Sequence, residues 1–205
     1  MPIRLVLFDM DDVVYAYARA ARIAVIAHET GLDPKDIEAR IWTSGFQDDA
    51  DAGLYPTVEA YLAGWEARLG GPMPRELWVR ARAASLTPIE ETLSLFHRLA
   101  RSDVAIGVLT NNGPLLHAER EALVPELSAI AAERFLVSAA FGTRKPDPAV
   151  FTRALDRLGF TADETVFVDD RIENVAGAAT AGLAAIHFQA PHDLAPSLRA
   201  LGLPV

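Results

Sequence analysis

The chain has 205 residues, 51% of them hydrophobic, and its 19 Lys and Arg against 28 Asp and Glu give a formal net charge of −9 at pH 7. This balance excludes intrinsic disorder and argues against nucleic acid or anionic lipid as electrostatic partners. The absence of cysteine excludes disulfides, thiolate nucleophiles and Cys-ligated metal centres, and makes a reducing, cytoplasmic compartment the expected location.

The first predicted element is a strand over residues 3–8 (IRLVLF), an aperiodic β-branched and aromatic run of the kind that is buried on both faces. It is too short and too acidic at its end for a signal peptide, and no apolar stretch reaches the ~20 residues of a membrane span. Residues 16–86 hold four Ala-, Leu-, Trp- and Arg-rich helical segments, roughly 16–29, 34–42, 57–69 and 74–84, with no convincing strand. Asp33-Pro34 offers a capping carboxylate before a proline at the first helical position, while Gly31 and Gly70-Gly71 mark turns between helices. Thr87-Pro88-Ile89-Glu90 predicts a further helix start, with a capping hydroxyl, a proline and a capping-box glutamate. Strands are predicted at 104–109 (VAIGVL), 135–137, 165–168 (TVFV) and 184–188 (AAIHF), separated by helical patterns. One of these helices starts at Asp147-Pro148, and Gly159 and Gly182 sit where helices stop.

Such alternation specifies a parallel sheet with crossover helices. The first two strands lie about 95 residues apart, far more than one crossover requires. The expected architecture is therefore an α/β, Rossmann-like parallel sheet with helices on both faces, formed by residues 1–15 and 87–205, with an inserted all-helical unit at 16–86.

In open parallel sheets, ligands bind beyond the carboxyl ends of the strands. The candidates there are Asp9, Asp11 and Asp12 after the first strand, and Thr110, Asn111 and Asn112 after the second. Lys145 lies near the third, and Asp169, Asp170 and Asn174 follow the fourth. Asp9 and Asp11 are two apart, so an extended chain points both to one side. Together with Asp169 and Asp170 they form a self-repelling cluster that a divalent cation resolves. An all-oxygen ligand set with places left for water and phosphate suits Mg²⁺ better than Ca²⁺. Lys145 and the metal would reverse the local field, and a phosphoryl group could then enter. Its oxygens would be held by the Thr110 hydroxyl and the backbone N–H groups of Asn111 and Asn112, just before the helix starting at Pro114.

Taken singly, each fragment has a plainer reading, as a helix cap, a turn hydroxyl or a solvated cation. In one order at four successive strand ends, they point to one site. Trp42, Trp65 and Trp78 are expected to pack the inserted helices, with the alternative that Trp42, Ser44 and Phe46 face the substrate. The five histidines show no ligand spacing.

These motifs resemble those of the haloacid dehalogenase-like (HAD) hydrolases: FDMDDVV (8–14), VLTN (108–111), the lysine of RKPDP (144–148) and the acidic pair of FVDDRIENV (167–175). The insert is similar in place and size to the helical cap of the branch containing phosphoglycolate phosphatases, β-phosphoglucomutase and 2-haloacid dehalogenases. TNN, GTRKPDPAVF and VDDRIENV look most like the phosphatases of α-D-glucose 1-phosphate. The resemblance implies that Asp9 is the nucleophile and forms an aspartyl phosphate, and that Asp11 is the general acid and base. It also implies Mg²⁺ held by Asp9, the Asp11 backbone carbonyl and Asp170, with Asp169 acting directly or through water and Asn174 behind them. Thr110, Asn111 and Lys145 would bind substrate.

Where the family commonly has glycine after the second aspartate, this chain has Asp12, which tolerates unusual backbone angles but adds a charge. Dehalogenase members lack the second aspartate, so Asp11 favours a phosphate ester over a haloacid. The expected protein is a cytoplasmic Mg²⁺-dependent phosphatase of a small phosphorylated metabolite, a monomer or small homo-oligomer. The alternatives are a phosphotransferase or mutase, a 2-haloacid dehalogenase, or a phosphoacceptor regulator that does not turn over. The regulator is disfavoured because Lys145 precedes the acidic pair.

Overall fold

Strand β1 (Leu5–Phe8) lies at the centre of a five-stranded parallel sheet in the computed structural model, which describes residues 2–205. All four of its side chains are buried, as an unbroken apolar run between two covered faces requires. After a turn the chain forms the short strand β2 (Tyr15–Tyr17) and enters a helical excursion. This comprises α1 (Arg19–Thr30), α2 (Pro34–Glu38) continued by a π-helical turn (Ala39–Thr43), α3 (Phe46–Asp51), α4 (Val58–Leu69) and α5 (Arg75–Ala83). Strand β3 (Leu86–Pro88) then pairs antiparallel with β2 and closes the excursion.

The sheet resumes after α6 (Glu90–Ala100) with β4 (Ala105–Thr110), followed by the short helices α7 (Pro114–Ala118) and α8 (Arg120–Leu123). There follow β5 (Phe135–Val137), α9 (Pro148–Leu158), β6 (Thr165–Asp169), α10 (Ile172–Thr180), β7 (Ala184–His187) and α11 (Pro191–Ala200). The strand order β5-β4-β1-β6-β7 makes this a Rossmann-like α/β fold. Val6 and Phe8 face one apolar layer, shared with the excursion, and Leu5 and Leu7 face a second, built on Val150, Phe151 and Ala178 of α9 and α10. Phe8 pairs with Val108 and with Val168, so Asp9 ends level with Asp169 and one residue short of Thr110.

Local signals explain most boundaries. Asp33 and Asp147 cap their helices, their carboxylates accepting from Lys35 N at 2.8 Å and Ala149 N at 2.9 Å. Thr87 and Pro88, expected to begin a helix, are instead strand residues, and α6 starts at Glu90. Pairing of Ala16 with Thr87 and Tyr15 with Pro88 holds that segment extended, and a two-stranded ribbon accommodates a proline lacking an N–H. Strand β3 also begins inside the stretch expected to be all helical, and α3 was not foreseen there. Trp65 and Trp78 are fully buried among the helices, as expected; Phe46 is buried with them rather than facing substrate. Among the described residues, no helix is long and apolar enough to cross a membrane.

Candidate active site

The end of β1 delivers Asp9 into a buried position where one of its oxygens is taken twice. Its Oδ1 accepts from Met10 N at 2.7 Å and lies 2.8 Å from Lys145 Nζ. Lys145 donates equally to Asp169 Oδ2, at 2.7 Å. Asp169 is saturated: Oδ1 accepts from Arg171 N at 2.8 Å, and Asn174 Nδ2 reaches both oxygens, at 3.0 and 3.1 Å. Lys145 is aimed by its backbone, which Asn111 brackets: Lys145 N donates to Asn111 Oδ1 and Asn111 Nδ2 donates to Lys145 O, both at 2.9 Å. Gly177 permits this turn to lie against α10, since a Cβ there would stand 2.1 Å from Pro146 O.

Burial pushes the Asp9 carboxyl well above the ordinary carboxylate range, against the pull of Lys145. Burial would lower Lys145, but Asp9 and Asp169 outweigh it and hold the ammonium above the usual lysine value. Asp170, half-buried, is also raised, by burial and then by the charges of Asp169 and Asp12. Oxygens of Asp9, Asp169 and Asp170 lie within 4.8 Å of one another, an all-oxygen donor set that fits a hard divalent cation.

The Asp11 carboxylate stands outside this group. Both its oxygens lie 2.7 Å from Nη2 of Arg82, a buried residue of α5. Asp12 adopts a left-handed φ of 61°. Its side chain accepts from Tyr17 N at 2.9 Å, a local bond that offsets what glycine would have avoided. The buried Thr110 hydroxyl accepts from Asn112 Nδ2 at 2.9 Å. The expectation that backbone N–H groups of Asn111 and Asn112 await a phosphate needs correcting for Asn112. Its N–H is already donated to Ser138 Oγ at 3.3 Å, and the five-residue α7 adds little dipole.

These groups line a pocket of about 220 Å³. Asp9, Asp11, Thr110, Asn111, Lys145 and Asp170 come from the strand ends, and the excursion adds Arg22, Trp42, Gln47, Asp51 and Arg82. Apart from Trp42, sequence reasoning missed the latter set. The available signal was a charged residue on the buried face of a helix, such as Arg22 beside Ile23 and Ile26 or Arg82 beside Ala81.

Asp51 is such a residue: burial pushes its carboxyl up to about 7, although Gln47 Nε2 donates to it at 2.8 Å and Arg144 attracts it. A carboxyl raised on folding keeps a proton that the unfolded chain loses near 3.8, so it erodes stability as pH rises from there to about 7. Asp51→Asn is therefore expected to gain on wild type by about 2 kcal/mol between pH 5 and pH 8 in urea unfolding. Parallel pH profiles for the two proteins would remove the shift.

The model of haloacid dehalogenase-like hydrolases matches residues 3–182. A phosphatase of Mycobacterium tuberculosis is 29% identical over 190 residues, which cover 90% of this chain and 87% of that protein. A HAD-like family hydrolase from Porphyromonas gingivalis superposes with a TM-score of 0.77 at 22% identity over 98% of both chains. A HAD family enzyme from Bacteroides thetaiotaomicron, solved with magnesium and inorganic phosphate, gives 0.74 at 20% identity, covering 92% of this chain and 95% of that one. At these identities the two structures share the fold, whereas the family match spans every strand of the sheet except its last edge. The chain belongs to the haloacid dehalogenase-like hydrolases.

Proposed function

We propose that this enzyme hydrolyses a small phosphorylated metabolite, with Mg²⁺, through a phosphoaspartyl intermediate on Asp9. The observation that carries the reading is the asymmetry of that carboxylate. Met10 N and Lys145 occupy Oδ1, and among the described residues no donor holds Oδ2. Oδ2 attacks phosphorus, the bond to the leaving oxygen breaks, and Asp11, turned away from Arg82 and protonated when substrate binds, gives that oxygen a proton. Water then attacks the phosphoaspartate, Asp11 takes its proton, and the Oδ2–phosphorus bond breaks to release inorganic phosphate. Thr110 and Lys145 bind the phosphoryl oxygens, and Asn111 holds the backbone of Lys145 in place.

Asp9, Asp170 and the Asp11 backbone carbonyl would hold the metal. Asp169, already saturated by Lys145, Arg171 and Asn174, would act through water. When bound, Mg²⁺ keeps Asp9 ionised and neutralises charge on the phosphoryl oxygens. Residues 16–86 act as a cap over a catalytic unit of 1–15 and 87–205, which is supported by the side chains this excursion adds to the pocket. The metal and phosphate bound by the Bacteroides enzyme, and the activity in the Mycobacterium protein's name, support the same chemistry.

Phosphate release from α-D-glucose 1-phosphate, phosphoglycolate and nucleotides is the test. Steady turnover that EDTA abolishes is expected, with a melting temperature raised by Mg²⁺. One phosphate per chain and no turnover would indicate a phosphoacceptor. Identical melting with Mg²⁺ and EDTA would count against the metal site.

A further inference from the structure

Six cationic side chains line the pocket, and five of them are already committed to carboxylates. Arg19 pairs with Glu38, Arg82 with Asp11, Arg144 with Asp48, Arg171 with Glu173, and Lys145 with Asp9 and Asp169. Arg22 is the exception among the described residues. It is 2% exposed, and its Nε and Nη2 are buried without a hydrogen-bond partner. The Tyr17 and Tyr61 hydroxyls stand near it without bonding those atoms, and Asp51 feels its charge without forming an ion pair.

What surrounds the guanidinium is aromatic: its carbon lies 5.6 Å from the ring centroid of Trp42, 5.2 Å from that of Trp65 and 4.9 Å from that of Trp78. Ring faces stabilise the cation but leave the N–H groups on Nε and Nη2 unsatisfied. Keeping a buried charge in this state costs free energy, and an anion arriving through the pocket would remove that cost.

We infer that Arg22 is the recognition point for a carboxylate on the leaving group, so that the substrate is a phosphate ester of a small hydroxy acid. The inference rests on the phosphatase reading above and departs from an uncharged sugar. Three features select a carboxylate. A guanidinium matches it with two parallel hydrogen bonds. One unpaired cation balances one negative charge, whereas a second phosphate would bring two charges to be dehydrated between tryptophan rings. Arg22 lines the same pocket as Asp9 and Lys145, so one ester can reach both ends.

The chain's three tryptophans all flank Arg22, which supplies a readout independent of turnover. Titration with D-glycerate, the dephosphorylated acid, is expected to change tryptophan fluorescence saturably in wild type and not in Arg22→Gln, while glycerol leaves both unchanged. In kinetics, 3-phosphoglycerate is expected to exceed glycerol 3-phosphate in kcat/KM by tenfold or more. That ratio falls towards one in Arg22→Gln, through KM, and returns in part in Arg22→Lys. A wild-type enzyme indifferent to the carboxylate, equal loss on both esters in Arg22→Gln, or 1,3-propanediol bisphosphate hydrolysed better than 3-phosphoglycerate would each overturn the inference. If no ester is hydrolysed, the phosphatase reading fails, and the glycerate titration still decides whether Arg22 binds a carboxylate.

Discussion

Asp9→Asn is expected to lower kcat roughly 10⁴-fold or more with saturating Mg²⁺, while the protein keeps its circular dichroism and cooperative melting. The amide oxygen can still accept from Met10 N, so the turn after β1 retains its shape. The electron pair of the amide nitrogen, however, is delocalised into the carbonyl and does not attack phosphorus. Asp11→Asn should also be slow, because the leaving oxygen loses its proton donor, but its fold should survive the loss of Arg82's partner. A rate near wild type in Asp9→Asn would remove the proposed nucleophile. The two variants together separate attack on phosphorus from proton transfer.

Lys145→Met is expected to have the largest effect on stability, a loss of about 3–5 kcal/mol in EDTA, because removing one partner strands buried charge. Asp9 and Asp169 both lose their cation, at sites from which water is nearly excluded. Adding Mg²⁺ should restore part of this loss, since a divalent ion can replace the missing charge but not the lysine's reach to both carboxylates. Urea unfolding with and without the metal measures both effects. A loss below about 1 kcal/mol in EDTA would show that the carboxylates escape their burial by taking up protons instead.

The sheet and the convergence of the strand-end residues were legible for a common reason: both depend on short runs of sequence. Buried parallel strands must be continuously apolar, so residues 3–8 and 165–168 announced themselves. The register of β1 against β6 then brought Asp9 level with Asp169. Asp33 and Asp147 were readable because a capping carboxylate acts two residues away. The β2–β3 ribbon was not legible: three-residue strands carry too little pattern, and Thr87-Pro88 matched a helix start until Ala16 and Tyr15 claimed it. The Arg82 contact with Asp11 spans 71 positions, and Arg22 meets its tryptophans only after four helices have packed. Such placements follow from tertiary packing, and no local spacing encodes them.

The ribbon also has a practical consequence. The strands leading into and out of the helical excursion are tied side by side, with Ala18 N donating to Ser85 O at 2.8 Å just beyond their ends. Entry and exit are thus adjacent, the arrangement that makes a module exchangeable. A helical segment from another protein whose own ends meet at that spacing can be grafted between these two residues if it also supplies a cation where Arg82 meets Asp11.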